Sequence, residues 1–246
     1  MEVHHHSHTA RKKWTHYFWE FLMLFLAVFC GFLAENQREH LIEHRREKQY
    51  MRSLLEDLRT DTATINKIYN LGLIQKASLD SLIEWGNLGF FKEENIGKLY
   101  MLQGRTNRFL NIRLEDGTSS QLKNAGGMRL IRNTAVIDCI RQYWAHEETI
   151  YRIRDRLEMS GENINDVGSR IFYNKYFVPG KDPMDPPGEI KPGAIFIDND
   201  PKLMAEYINR IASKSLRTSI YITELGSTMQ VAEHLMELIK KEYHLK

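Results

Sequence analysis

The apolar positions form one uninterrupted run near the N-terminus, followed by stretches with helical periodicity. The run at 14–33 reads WTHYFWEFLMLFLAVFCGFL, and its only formally charged residue is Glu20. About twenty helical residues span roughly 30 Å, the thickness of a bilayer's hydrocarbon core. The run therefore predicts a transmembrane helix over residues 14–34.

The free energy of insertion supports this prediction. The apolar run contributes about −3 to −5 kcal/mol on a membrane-insertion scale, whereas Glu20 would cost about +2.5 to +3.5 kcal/mol at the bilayer centre. Glu20 lies instead near one end of the run, beside aromatic residues that favour the membrane interface. A cleaved signal peptide ending at Ala34 is the alternative. The helix-forming sequence that follows Glu35 favours an anchor.

Residues 35–71 predict a stalk helix that continues the anchor. This segment contains neither glycine nor proline, and all six prolines of the chain lie after residue 178. Its first half is mostly charged, which is typical of a solvated helix. Its second half places apolar residues three and four apart, with Asp61 in one position of the same stripe: Met51, Leu54, Leu58, Ile65 and Ile68. The stripe packs either within the domain or against another subunit.

Residues 72–246 predict a soluble helical domain. The predicted helices are Ile74–Trp85, a segment around 96–103, one that follows the turn 117–120 and stops at Gly126-Gly127, one capped by Asn133 or Thr134, and one opened by Asp200 and Pro201. Alternating apolar residues at 109–114 permit a short strand, and the proline-rich segment 178–194 predicts a loop. The expected fold class is mainly α, with an antiparallel helical-bundle-like soluble domain.

Charge limits the partners and suggests an orientation. The 34 basic and 32 acidic residues nearly balance and form no basic block, which argues against a nucleic-acid partner. Basic residues at 11–13 precede the anchor, whereas only Arg38 follows it closely, although further basic residues at 45–48 reduce this asymmetry. The positive-inside rule then places the N-terminus in the cytoplasm and the domain in the periplasm, with the anchor in the inner membrane.

Clustered histidines are the main candidates for metal ligands. Residues 1–13 form a histidine-rich, basic tail in which His4, His5, His6 and His8 could bind a transition metal, the alternative being a solvated tail. His40 and His44, one helical turn apart, are a second candidate pair, with a solvated helix face as the alternative. The sequence His146-Glu147-Glu148 begins like a zinc-protease motif, but Ile150 replaces the second histidine.

Other polar and aromatic residues have simple structural interpretations. Asp198 and Asp200 could ligate calcium, but helix capping also accounts for Asp200. Aromatic pairs at 143–144, 172–173 and 176–177 are expected in the core, and the alternative is that they line a ligand cavity.

The sequence contains no phosphate-binding loop, no nucleophile elbow, no dinucleotide fingerprint and no Cys/His pair with catalytic spacing. We therefore expect no catalytic residue and no cofactor. The leading hypothesis is a non-enzymatic, membrane-anchored binding or scaffold module with an envelope protein as its partner. The alternative is an envelope enzyme or metal-binding protein whose site assembles only in three dimensions.

Three segments resemble an uncharacterised family of bacterial single-pass membrane proteins. They read WEFLMLFLAVFCGFLAENQRE at 19–39, EKQYMRSLLEDLRTD at 47–61 and SSQLKNAGGMRLIRNTAVIDCIRQYW at 119–144. The resemblance implies a membrane helix joined to a helical stalk, and it implies no catalytic residue because the family's domain has no assigned function.

Small and apolar residues also predict self-association. Ala27 and Gly31 place small side chains on one face of the membrane helix, where two backbones can approach closely. Leu54 and Leu58 would continue the contact along the stalk.

Overall fold

The computed structural model describes residues 14–89, 91–106, 110–124, 126–178 and 189–245. Helices account for 85% of them, which confirms the predicted mainly helical class. The α-helices are α1 (Trp14–Asn87), α2 (Ile96–Thr106), α3 (Gly117–Asn124), α4 (Thr134–Ile171) and α5 (Pro201–Tyr243). The described strands, β1 (Phe177–Val178) and β2 (Glu189–Ile190), pair antiparallel. Short 3-10 turns occupy Glu93–Asn95, Gly127–Leu130 and Asn174–Tyr176.

The chain divides into two compact units, Met1–Gln49 and Tyr50–Lys246. In the first unit, α1 contains a segment that is long and apolar enough to cross a membrane, and none of that segment is buried. Large side chains are exposed along it, from Trp14 at 81% to Leu33 at 47%. This exposure fits the predicted anchor.

The second unit has a core of three apolar clusters, each built from α1, α4 and α5. Representative members are Leu58, Ile140 and Leu235 in the first cluster, Ile65, Ile150 and Leu225 in the second, and Leu82, Ile164 and Ile211 in the third. Residue numbers rise through the clusters on α1 and α4 and fall on α5. Helices α1 and α4 therefore run parallel, and α5 runs antiparallel to both.

Buried positions on the long helices alternate at spacings of three and four residues. On α5 this series includes Tyr207, Ile211, Lys214, Thr218, Tyr221, Leu225, Thr228, Ala232, Leu235 and Ile239. Such spacing keeps one face of a helix against its neighbours over many turns. The predicted stripe on α1 follows the same rule, and its five apolar residues are at most 5% exposed. This stripe packs within the domain, which was one of the two alternatives.

Two glycines predicted to lie outside helices are part of α1. The structure has no break at residues 71–73, so the separate helix expected over Ile74–Trp85 is the last part of α1. A Cβ atom at Gly72 would lie 3.0 Å from Cγ1 of Ile222, and one at Gly86 would lie 2.7 Å from Cγ1 of Ile208. These glycines therefore allow α5 to approach α1 closely.

The short strand that the sequence permits at 109–114 does not form in the described part of this segment. Leu110, Ile112 and Leu114 are buried, as the alternating pattern indicates, but they pair with no strand among the described residues. Side chains bind the backbone instead: the Tyr221 hydroxyl donates to the Leu110 carbonyl at 3.1 Å, and the Leu114 N–H donates to the Tyr151 hydroxyl at 3.1 Å. Backbone groups satisfied in this way do not need a neighbouring strand.

Two of the predicted helix starts are confirmed, whereas residues 117–120, predicted as a turn before a helix, are the first residues of α3. The Asp200 side chain accepts hydrogen bonds from the N–H groups of Lys202 and Leu203, and Pro201 is the first residue of α5. Asn133 Oδ1 accepts from the Val136 N–H at 3.2 Å and so caps α4. These bonds satisfy amides that have no partner within the helix.

Candidate functional site

A buried carboxylate on α1 organises a polar network in the core. Asp61 is 2% exposed. Its Oδ2 accepts a hydrogen bond from the Tyr143 hydroxyl of α4 at 2.6 Å, and its Oδ1 accepts from the Glu115 N–H at 2.7 Å. Asp61 therefore fixes α1 to α4 and to the segment that leads into α3.

Burial dominates the electrostatics of this region. It raises the pKa of Asp61, although the hydrogen bonds from Tyr143 and Glu115 oppose the shift. It also raises the pKa of Tyr143, and the neighbouring Asp61 carboxylate adds to this effect. The pKa of Glu147 is raised by burial and lowered in part by the charge of Lys123. Protons therefore bind these carboxyls more readily than they bind a carboxyl in water.

Two side chains hold α3 beside this network. Asp57 Oδ2 accepts from the Thr118 N–H at 3.2 Å, and the Trp144 indole N–H donates to the Ser119 hydroxyl at 2.9 Å. The first bond satisfies an amide in the first turn of α3, and the second fixes the plane of the indole ring. Helix α3 is thereby positioned against α4.

A cleft of about 510 Å³ contains side chains of α3 and α4. Its lining residues are Lys123, Arg141, Trp144, Ala145, Glu147, Glu148 and Tyr151. The Lys123 ammonium lies 4.3 Å from the centre of the Trp144 ring. Tyr151 is hydrogen-bonded to Glu147, and the Arg154 guanidinium lies 5.0 Å from the centre of the Tyr151 ring. The cleft combines aromatic faces with both signs of charge.

This arrangement is suited to binding. Asp61 is buried, and each of its oxygens accepts a hydrogen bond from the protein, so its observed contacts hold α1, α4 and the segment before α3 together. Among the described residues, no group of three or more His, Cys, Asp or Glu side chains could hold a metal ion. Glu147 and Trp144 line the cleft, where they can contact a ligand.

A second buried polar network surrounds the end of α2. The Lys214 ammonium donates to the Thr106 carbonyl at 2.7 Å, and the Gln75 side-chain amide donates to the same oxygen at 3.0 Å. The Tyr207 hydroxyl donates to Gln103 Oε1. Lys214 is 4% exposed, and burial lowers its pKa to about 8. This network closes the C-terminus of α2 with a cation, as the helix dipole favours.

The burial of Lys214 was not predicted from the sequence, because only apolar residues of this helix were assigned to the core. The signal was present in the spacing, since Lys214 follows Ile211 by three residues and precedes Thr218 by four. Lys123 and Tyr151 were also missed, and Glu147 was noted only as part of the failed zinc-protease motif. Glu147 and Tyr151 are four residues apart, the spacing that places two side chains on one face of a helix.

The histidine candidates occupy different environments. His4, His5, His6 and His8 lie outside the described residues. His40 and His44 each face a carboxylate three residues ahead, at 3.9 Å from Glu43 and 3.3 Å from Glu47. His146 Nδ1 lies 2.7 Å from Glu224 Oε1 and joins α4 to α5.

The candidate calcium ligand Asp198 and the paired aromatic residues have structural positions. Asp198 accepts from the Asp200 N–H at 2.8 Å, so it forms part of the capping turn. Tyr143 and Phe172 are buried, whereas Trp144 is half-buried in the cleft.

The four residues predicted to mediate self-association lie in two environments. Leu54 and Leu58 are 2% and 0% exposed in the domain core, and this burial assigns them to packing within one chain. Ala27 and Gly31 lie on the exposed part of α1, and a Cβ atom at Gly31 would meet nothing within 4 Å. Self-association through the membrane helix stays a prediction.

Comparisons with protein-family models, curated proteins and solved structures found no match to this chain.

Proposed function

We propose that the chain is a membrane-anchored, non-enzymatic helical binding or scaffold module of the bacterial cell envelope. The exposed apolar segment of α1 carries this proposal. Contiguous apolar surface of this kind is unfavourable in water, at roughly 25 cal/mol per Å², and is accommodated by a lipid bilayer. In this proposal the anchor is residues 14–34 in the inner membrane, and the soluble domain is periplasmic.

The packing directions support an antiparallel bundle for the soluble domain. Helix α5 runs antiparallel to α1 and α4, and its buried positions recur at the alternating three- and four-residue spacing of coiled coils. Such a domain presents a rigid surface on which a cleft can be positioned.

Binding fits the cleft better than catalysis does. Asp61 uses both oxygens to hold the fold, and the accessible groups beside it are a tryptophan ring and charged side chains. An envelope enzyme is the second candidate, and the raised pKa values of Asp61 and Glu147 favour it, because such shifts are common at active sites.

Charged residues within the apolar segment test the anchor. Leu24→Arg together with Val28→Arg adds about 5 to 7 kcal/mol to the free energy of insertion, which exceeds the roughly −3 to −5 kcal/mol of the native run. We expect carbonate washing to release this variant from membranes and to leave the wild type and a Leu24→Ile, Val28→Leu control in the pellet. Release of the wild type would contradict the anchor.

A photo-crosslinking amino acid tests the binding role. Placed at Arg141 in the cleft of the full chain in intact cells, it should give discrete adducts with a partner. The control position is Arg217, an exposed residue of α5 outside the cleft lining. Identical adducts from both positions, or none from Arg141, would contradict a specific role for the cleft.

A further inference from the structure

The cleft between α3 and α4 already holds an ammonium group of its own chain. The Lys123 Nζ atom lies 4.3 Å from the centre of the Trp144 ring, within the range of a cation–π contact. Lys123 is an exposed residue in the last turn of an eight-residue helix. A long, exposed lysine side chain changes its rotamer readily, so its ammonium can leave the ring without disturbing the backbone.

The groups around this ammonium match what a cation needs. The indole plane is fixed by its hydrogen bond to Ser119, so the ring face needs no reorganisation on binding. The positive charge of Lys123 acts to lower the pKa of Glu147, against the effect of burial. The Glu147 carboxylate carries the opposite charge and is hydrogen-bonded to Tyr151. An aromatic face attracts a ligand cation through its quadrupole, and a neighbouring carboxylate adds the opposite charge.

We propose that this cleft is a binding site for a primary alkylammonium group of a partner and that Lys123 is an internal occupant which the partner displaces. This inference rests on the proposed binding function and names the chemistry of the ligand. Because the internal occupant is itself a lysine side chain, the partner in this proposal is an envelope protein that presents an exposed lysine. Its binding leaves Lys123 in water, where the ammonium is readily solvated.

The chain provides a matched control in a second lysine–tryptophan pair. The Lys98 ammonium also lies 4.3 Å from the centre of a tryptophan ring, that of Trp85. Neither residue lines the cleft. A response that needs only a lysine above an indole ring would therefore appear at both pairs, whereas a response that needs the cleft would appear at Trp144 alone.

The test is a titration of the detergent-solubilised full chain, followed through its ¹⁵N-labelled tryptophan indole resonances. The probes are Nα-acetyl-lysine methylamide, its uncharged norleucine analogue and phosphoethanolamine. We expect the lysine probe to shift the Trp144 resonance saturably and to leave Trp85 unchanged. Saturation by phosphoethanolamine at a lower concentration than the lysine probe would overturn the assignment to a protein lysine and favour a lipid headgroup.

Variants distinguish displacement from nonspecific binding. Lys123→Ala removes the internal occupant, so the lysine probe should bind roughly two- to fivefold more tightly. Lys98→Ala should leave the affinity unchanged, and Glu147→Gln should weaken it. No saturable shift in either the wild type or Lys123→Ala, an equal response to the norleucine analogue, or weaker binding to Lys123→Ala would overturn the inference. Carbonate washing and crosslinking at Arg141 test the proposed function separately, so the two can fail independently.

Discussion

Replacement of Lys214 by methionine is expected to stabilise the domain at neutral pH. Lys214 is 4% exposed in the seam of α5, and its ammonium donates to the carbonyl of Thr106. Methionine has a similar length and shape and carries no charge, so it fills the same space without the cost of burying an ammonium. The Thr106 carbonyl keeps the hydrogen bond from Gln75.

The magnitude follows from the pKa of Lys214. Burial lowers this pKa from 10.5 to about 8. A shift of this size corresponds to about 3 kcal/mol, since each pKa unit is about 1.4 kcal/mol. Below pH 8 the folded protein carries the full cost of the buried charge. Between pH 8 and 10.5 the unfolded chain binds more protons than the folded one, so the free energy of unfolding rises with pH over that window.

The lost hydrogen bond reduces the benefit of the methionine. A bond from a charged donor contributes about 1.5 to 3 kcal/mol, and part of that contribution is lost with Lys214→Met. The net gain in the free energy of unfolding at pH 7 is therefore about 1 to 2 kcal/mol. At pH 9.5 the wild type has recovered most of the cost, and the two proteins should differ by less than about 1 kcal/mol.

Denaturant unfolding of the detergent-solubilised chain, followed by far-ultraviolet circular dichroism at pH 7 and pH 9.5, measures both values. Lys202→Met, at an exposed position of α5, controls for the loss of a positive charge. Buried tyrosines such as Tyr207 have raised pKa values, but they are present in every variant and cancel in the difference. Equal destabilisation by Lys214→Met at both pH values would refute the reasoning, because it would show that the ammonium stabilises the fold.

Two further predictions concern packing and the Asp61 network. Asp61→Ala should lower the free energy of unfolding by about 2 to 5 kcal/mol, because it leaves the Tyr143 hydroxyl and the Glu115 N–H without their acceptor, at about 1 to 3 kcal/mol each. Loss of less than about 1 kcal/mol in denaturant unfolding would contradict this role. Gly86→Ala should lower the free energy of unfolding by about 1 to 3 kcal/mol, because the added Cβ would lie 2.7 Å from Ile208. Gly97→Ala adds a Cβ that meets nothing within 4 Å, so it should be neutral or stabilising. Equal shifts in melting temperature for the two variants would argue against the close approach of α5 to α1.

Local signals predicted several elements because their physical causes are local. Asp200 and Pro201 start α5 through a capping bond and a fixed backbone angle, and both effects act within one turn. The buried stripe around Leu58 was visible because apolar spacing reports which face of a helix is covered. Which surface covers that face depends on residues far along the chain, so the choice between domain core and subunit contact needed the structure.

Nonlocal contacts explain what the sequence did not predict. Gly72 has the appearance of a helix end, but its role is set by Ile222 on α5. The alternating residues around Ile112 permit a strand, whereas side chains of α4 and α5 satisfy the backbone there. The cleft was missed for the same reason, because Lys123 and Trp144 meet only when α3 packs against α4.

The direction of α5 has a consequence for biosynthesis. Its contacts with α1 join residues far apart in sequence, such as Ser215 and Asp80, which are 135 positions apart. Until translation has produced α5, the apolar faces of α1 and α4 lack their third helix, even though the proposed anchor has been synthesised earlier. The nascent domain is therefore an incomplete helical pair until α5, which leaves the ribosome after α1 and α4, packs against both.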